Sequence, residues 1–430
     1  MKFIKKIVKA LLIIIMAVIV LTAIALNYET VLASHKNKNV IDAAVNVSDF
    51  TIPENVNVVG LGEATHGNIE FQELKLDIFK ILVEKYDYRA FALEADFGDC
   101  LEANEYIQGA DGNARDIVNN MVFELYHTQQ MADILDWMKE YNSTVSEDKR
   151  LRFYGFDMQN PEKCVMQLHK FLAKYNLTAI NTSGLDYLVD LTRTQAFTEG
   201  DINEIKAELS ELKKVIEPMK SDSKDVNIIY GLKLVENTLT CFNYLFLDAK
   251  EKYNARDICM ADNVEWILNL EKEIGSGKVM LGAHDSHISK KGNSSTRISM
   301  GGELKNRLGD SYYSLGSDFF KGTDNSKVSS MVSKGYQRKN FYMTTADPIA
   351  YQAKYMDDKR FLLDFSSISE AENKELYDLI HSDVSMGDVG EGFANFYYFF
   401  HSAYRLKDAP ADHYDGMIFY YNVKPIVPQY

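Results

Sequence analysis

The chain has 430 residues, of which 46% are hydrophobic and 25% charged, an ordinary globular balance with enough length for a large core or two lobes. Its net charge of −15, a pI of about 5.2 and the lack of a basic stripe in the body exclude a nucleic-acid binder. The four cysteines (Cys100, Cys164, Cys241, Cys259) are scattered without CxxC or zinc-like spacing, which excludes a disulfide framework and reads as buried free thiols. Seven prolines argue against long disordered linkers.

In chain order, Lys2, Lys5, Lys6 and Lys9 precede the charge-free run Ala10–Leu26. Extended back to Ile7, that run is long enough to span a bilayer as a helix. Residues 1–9 are then a basic cytoplasmic end and 10–26 a single-pass signal anchor in the cell membrane. The positive flank keeps the body extracytoplasmic. A cleaved signal peptide, and so a secreted form, is the competing reading, because Val31-Leu32-Ala33 has the small-residue look of a cleavage site. Residues 27–50 read as a polar stalk, and 51–430 as the main domain.

Within the body, a short apolar run repeatedly ends in a polar cluster and is followed by a helical pattern. Val56–Leu61 ends at Glu63 and His66. "YRAFALEAD" ends at Glu94 and Asp96. "LRFYGFDMQNPEK" ends at Asp157, with Pro161 placed to open a helix. "GKVMLGAHDSHIS" ends at His284 and His287. Later strands are expected at "SYYSLGSDF", "RFLLDF" and "YDGMIFYY". Helices are expected over Glu70–Tyr86, Thr128–Tyr141 and Pro161–Tyr175, and a largely helical subdomain over about 185–275. Alternation of this kind predicts an α/β fold with a mainly parallel sheet and flanking helices.

In such sheets ligands bind just beyond the carboxyl ends of the strands. An Asp after a strand often only caps a helix, and Asp157 can be read as a turn residue. Four strands ending in Glu, Asp or His, with three of the nine histidines among them, point instead to an acid–base site. Gly62, Gly67 and Gly282 fit unusual backbone angles or close approach of a ligand. The set suits hydrolysis by an activated water: a histidine takes the proton, a carboxylate orients its ring, and a second histidine or a cation faces the developing oxyanion. No G-x-S-x-G elbow is present, "IGSGKVM" lacks the phosphate-loop spacing, and no G-x-G-x-x-G follows a strand. A metal is the rival, since Glu63, His66, Glu94, Asp157, His284 and His287 are all N/O ligands suited to zinc or manganese. There is no H-E-x-x-H, however, so no cofactor is expected and a divalent metal remains the alternative.

Together, "GLGEATHGNIEF", "FALEADF", "RFYGFDMQ", "NARDICMADNVEWIL", "GAHDSHIS", "SMGGELKNRLGDSYYSLGSDF" and "YDGMIFYY" resemble the erythromycin esterase family, in the expected order from about residue 55 to 421. The resemblance implies an α/β core with a helical subdomain and a small α+β part, and hydrolytic opening of a macrolide lactone. It implies that His66 is the water-activating base, with Glu63 orienting it, and that Glu94, His284 and His287 are further catalytic residues. Arg256 and Asp257 match the family's N-x-RD helix. Lys75, Asp157 and Arg256 are the expected substrate-binding residues. Lys75 stands where the family usually has arginine, so the bidentate fork is lost. Asp285 departs from the AHN-x-H pattern and adds a possible negative charge. Tyr126 replaces an expected tryptophan, and His127 reads as a surface residue at a helix start. The expected activity is hydrolysis of a small-molecule carboxylic ester or lactone, with the membrane as partner through the N-terminus. The alternatives are a metal-dependent hydrolase of another bond, such as a phosphoester or peptide, and a non-catalytic surface binding module on the same fold.

Overall fold

The computed structural model describes residues 2–189, 197–222, 225–292, 294, 296–329 and 337–429; side chains are described for residues 9, 11–17 and 24 of the first 26, and not for 221–222. The chain begins with helices α1 (Lys2–Ala33) and α2 (Lys38–Ala43), then β1 (Val58–Glu63), α3 (Ile69–Tyr86), β2 (Ala90–Asp96), α4 (Phe97–Ile107), α5 (Ala114–Asn119), α6 (Gln129–Thr144) and β3 (Arg152–Asp157). Next come α7 (Glu162–Lys174), α8 (Ser183–Val189), α9 (Glu199–Asp222), α10 (Val226–Leu245), α11 (Ala249–Ile274), β4 (Val279–His284), α12 (Asp285–Ile288) and α13 (Met300–Leu308). The remainder is β5 (Tyr312–Val328), β6 (Arg338–Thr344), β7 (Arg360–Asp364), α14 (Lys374–Ile380), β8 (Val384–Gly387), β9 (Gly392–Phe393), β10 (Arg405–Asp408), α15 (Pro410–His413) and β11 (Gly416–Val423). The expected strands and helices are all present, with ends moved by a few residues. Glu63 is the last residue of β1 rather than lying past it, and Thr128 caps α6 through its side chain.

The chain divides into two compact units. The larger comprises Thr51–Gly62, Gln72–Leu315 and Val427–Tyr430. Its strands follow the order β3-β2-β4-β1-β5. β2 runs parallel to both β3 and β4, and β1 parallel to the first residues of β5, from Tyr312 to Leu315. β2, β3 and β4 are buried along their whole length, which is why they read as apolar runs rather than as alternating patterns. Phe91 stacks on Phe153 at 5.4 Å between ring centroids and meets the edge of Phe79. On the other side of the core Phe97 meets Trp266 edge-on at 5.5 Å. The described residues of the segment expected to form a helical subdomain fold as helices, with α9 against α10 and α10 against α7; its last helix, α11, packs on β3.

Helix α11 is tied to both ends of β3. At the first residue of the strand, Arg152 donates from Nε and Nη2 to Glu271 at 2.6 and 2.7 Å, and the Tyr154 hydroxyl donates to the same carboxylate at 2.6 Å. At the last residue, Asp157 accepts from Arg256 at 2.7 Å. The helix therefore runs antiparallel to the strand and is held at two points fifteen positions apart, roughly 22 Å along its axis.

The smaller unit comprises Met1–Phe50, Glu63–Phe71 and Gly316–Ile426. Here the rest of β5 pairs with β6 antiparallel and with β9 parallel, β11 pairs with β7 antiparallel, and β8 with β10 antiparallel. Within the expected stalk, 27–50, Val40 and Phe50 are fully buried, Val45 bridges to Leu362, and the Asn37 backbone donates to Gln352, so residues 37–50 pack as part of this unit. The expected anchor, 10–26, falls partly on side chains outside the described set. Among the described residues no helix is long and apolar enough to cross a membrane.

Two stability predictions follow from the larger unit. Glu271 is fully buried, so Glu271→Ala leaves the Arg152 charge uncompensated and is expected to cost about 3–5 kcal/mol, measured by chemical denaturation; a parent-like midpoint would refute this. Asp99 is pushed up by burial from 3.8 to about 7. A carboxyl whose folded pKa is raised supports the fold below the unfolded value and loses that support as pH rises through about 7. Asp99→Asn should therefore gain stability relative to the parent between pH of about 4 and 7, read from melting curves across that window. A pH-independent difference would contradict it.

Candidate active site

In the larger unit the strand order β3-β2-β4 brings three carboxyl ends side by side. Asp157 ends β3, Glu94 lies near the end of β2, and His284 ends β4. Glu94 reaches its position through a β-bulge. Leu93 pairs with Gly155 and Asp96 with Asp157, so two residues of β2 oppose one of β3. A bulge of this kind re-aims a side chain at a strand end. It fits because position 155 is glycine: a Cβ there would lie 2.5 Å from the carbonyl oxygens of both Ala95 and Asp96.

Arg256, from α11, holds the cluster together. Its Nη2 donates to Glu94 Oε1 and to Asp157 Oδ2, each at 2.7 Å. Its Nη1 lies 2.9 Å from His287 Nε2. A guanidinium has only donors, so this contact puts the lone pair of His287 on Nε2. The ring proton then sits on Nδ1, which donates to Asp257 Oδ1 at 2.7 Å. Burial disfavours a charged His287, but Glu94 and Asp257 outweigh it and raise the ring's pKa above its ordinary value. Burial likewise opposes the charge of Arg256, and Asp157 and Glu94 overcome it. Asp96 is fully buried; desolvation first and then the charge of Asp157 push it well above the usual carboxylate range.

The other expected residues have distinct places. Asp157 is fully buried and also accepts from the Met158 backbone and the Gln159 side chain, so it combines the turn reading with a grip on Arg256. Glu94 Oε2 accepts from the His284 backbone at 2.8 Å. The His284 ring caps α12, with Nδ1 on Ser286, and its centroid lies 6.5 Å from that of His287. Lys75 is 1% exposed and its stem runs past Gly282, where a Cβ would come within 3.3 Å of it. Asp285 is buried against Gly62, where a Cβ would lie 1.8 Å from its carboxylate. His127 is buried, not on the surface, and its Nε2 lies 2.8 Å from the Met121 carbonyl. Tyr126 donates to the Glu94 backbone carbonyl at 3.0 Å.

The residue that sequence reasoning left without a role is Asp257, the partner of His287. Its adjacency to Arg256 on one helix was the available signal. The metal reading meets a physical obstacle in this cluster, because Arg256 already occupies the place between Glu94, Asp157 and His287 that a cation would take. Among the described residues no group of three or more His, Cys, Asp or Glu is arranged to hold a metal ion.

A cavity of about 440 Å³ opens over this cluster, with Arg256, Asp257 and His287 in its wall alongside Tyr244, Tyr253 and Arg297. That volume suits a small molecule.

The smaller unit holds the other expected pair. His66 Nδ1 lies 2.8 Å from Glu63 Oε1. Glu63 is buried and the His66 side chain is 11% exposed. The carboxylate accepts a hydrogen bond from Nδ1–H, which places the basic lone pair on Nε2. Behind the pair, buried Asp324 accepts from the hydroxyls of Thr65 and Ser326, and Thr65 Oγ1 accepts from the Gly67 backbone at 3.0 Å. A Cβ on Gly67 would lie 2.1 Å from the Asp324 carboxylate. Gly62, Gly67 and Gly282 all have ordinary backbone angles, so close approach, not an unusual φ, is what calls for glycine there.

These motifs and this fold have known counterparts. Erythromycin esterase type II of Escherichia coli is 24% identical over 324 residues, covering 66% of this chain and 74% of that one. A crystal structure of a Bacillus cereus protein superposes with a TM-score of 0.73 at 18% identity, over 93% of this chain and 99% of that one. An erythromycin esterase mutant in its open conformation superposes with a TM-score of 0.58 at 15% identity, over 86% and 91%. The erythromycin esterase profile itself matches residues 83–423, most of the body and every strand-end residue from Glu94 to His287. The chain belongs to the erythromycin esterase family.

Proposed function

We propose that this chain hydrolyses carboxylic esters or lactones through a water molecule activated by His66. Family membership supports a hydrolase. The observation that carries the finer reading is the Glu63–His66 pair, an imidazole held by a buried carboxylate with its basic nitrogen on the far side of the ring. In the proposed reaction His66 Nε2 takes a proton from water as the water oxygen bonds to the acyl carbon. Glu63 stabilises the imidazolium. The tetrahedral intermediate then collapses, the bond from acyl carbon to alkoxy oxygen breaks, and the leaving oxygen receives a proton. That proton is the one His66 took from the water; Glu94, His284 and His287, with Lys75 and Arg256, remain the proposed substrate-binding set. A macrolide lactone is one candidate substrate, by analogy with the E. coli relative.

Incubation of the purified protein with macrolides and simple esters, with and without a chelator, tests this. His66→Ala is expected to lower kcat/KM by about 10²–10⁴-fold, and parent-like turnover would end the assignment. Gly155→Ala offers a second, geometric test. The added methyl must displace the bulge that aims Glu94, so the variant should lose about tenfold or more in kcat while staying folded by circular dichroism. Unchanged turnover would remove Glu94 from the mechanism.

A further inference from the structure

Strand β5 carries an aspartate that the mechanism does not use. Asp318 and Asp347 of the smaller unit are both fully buried and in hydrogen-bond contact with each other. Asp318 accepts from the Phe319 and Gly387 backbones at 2.7 and 3.0 Å, one on each oxygen. Asp347 Oδ1 accepts from the Ile349 and Ala350 backbones at 2.6 and 3.2 Å. Its Oδ2 is buried and accepts from no N–H or O–H of the described residues. Two carboxylates in contact away from water do not both stay ionised, so a proton between them is what satisfies that oxygen. Burial first, and then the facing carboxyl, push Asp318 well above the usual carboxylate range, and burial raises Asp347 as well. The ionisable groups on the surrounding elements are committed elsewhere. On β5, Lys321 lies over the Tyr421 ring and Asp324 accepts from Thr65 and Ser326. On β10, Arg405 donates to the Thr344 carbonyl and to Glu29. Lys354 reaches the Tyr351 hydroxyl, and Asp388, just past β8, is partly exposed.

One short segment couples this pair to the His66 turn, within the same unit. Gly387 ends β8, and a Cβ on it would lie 2.8 Å from Asp318 Oδ1 and 3.2 Å from the Ala64 Cβ. Two residues on, the Val389 backbone donates to the Ala64 carbonyl at 2.9 Å, and Val389 bridges to Thr65. Ala64 and Thr65 are the residues between Glu63 and His66. Residues 387–389 are thus held by Asp318 at one end and hold the turn at the other. On the Asp347 side, the Thr345 hydroxyl donates to the Phe319 carbonyl, and the Thr345 carbonyl accepts from Ser385 of β8. Loss of the shared proton leaves two facing charges, and relief comes from movement of the segments they hold, β8 included.

We propose that Asp318 and Asp347 are positioning residues: they share one proton, and while they hold it residues 387–389 keep Glu63 and His66 in place. The effect on turnover rests on the hydrolase reading above; the shared proton does not. Turnover of para-nitrophenyl valerate from about pH 5 to about pH 10 tests it. The parent protein is expected to gain activity as His66 loses its proton and to lose it again as the pair loses its own. Asp347→Asn keeps an acceptor for Ile349 and Ala350 and puts an N–H where the shared proton was. It should retain turnover on the acid side and exceed the parent by about tenfold at about one pH unit beyond the parent's falling midpoint. Asp347→Ala should lower kcat about tenfold or more throughout. A falling limb common to the parent and Asp347→Asn, no falling limb in the parent, or parent-like turnover in Asp347→Ala overturns the proposal. A raised carboxyl supports the fold below its unfolded pKa and loses that support as pH rises through the folded one, so Asp347→Asn should gain melting temperature over the parent across the same interval; a constant difference sinks the shared proton. Should that variant not fold, infrared absorption of protonated carboxyls in the parent decides, and a band unchanged across the falling limb sinks it too. If the parent cleaves no ester, the hydrolase reading fails and the His66 ring resonances, assigned by their absence in His66→Ala, carry the test. They should shift with the pair's titration in the parent and not in Asp347→Asn, and indifference in both ends the positioning role.

Discussion

One guanidinium governs the strand-end cluster of the larger unit. Glu94 and Asp157 end adjacent parallel strands, and two buried carboxylates at such spacing would repel each other and shed charge by taking up protons. Arg256 lies between them and donates to both. The same group fixes the His287 tautomer, because an N–H donor at 2.9 Å admits only a lone pair on Nε2. That choice puts the proton on Nδ1 and gives Asp257 its hydrogen bond. Asp96 shows the contrast: it has no such cation in contact, and burial beside Asp157 drives it toward the neutral form. A buried ion cluster of this kind is weak evidence for stability. Its value here is in setting protonation states and side-chain directions.

The backbone makes room for these charges by omitting side chains. Gly155 lets the bulge of β2 press against β3, and the bulge turns Glu94 toward Arg256. Gly282 lets the Lys75 stem cross β4, Gly62 seats the Asp285 carboxylate, and Gly67 admits the Asp324 carboxylate behind the His66 turn. At Gly62 and Gly67 the requirement is set by a carboxylate, at Gly155 by the backbone carbonyls of Ala95 and Asp96, and at Gly282 by the Phe91 ring together with the Lys75 stem. Alanine at Gly62 or Gly67 would therefore act first on the aim of a charged group.

Much of this was legible beforehand. The apolar runs ending at Glu94, Asp157 and His284 became β2, β3 and β4, because fully buried parallel strands leave a continuous apolar signature. The Glu63–His66 pair was legible too, since three residues on one turn can meet without help from distant chain. The burial of Val40, Val47 and Phe50 within the expected stalk was not legible, because three apolar residues scattered among polar ones carry no periodicity. His127 was misread for a similar reason: its burial depends on a loop carbonyl, Met121, that no local pattern announces.

By itself, the sequence determined the element types, the strand ends as the place for chemistry, and the family, because these depend on local hydrophobic periodicity and on short motifs. Only the tertiary structure decided which strand ends are neighbours, that Arg256 sits among them, and that Asp257 partners His287. Those facts depend on strand order, on a one-residue bulge and on the angle at which α11 crosses the sheet. Each joins residues about 30 to 190 positions apart and turns on side-chain direction, and the linear pattern does not encode such distances and directions.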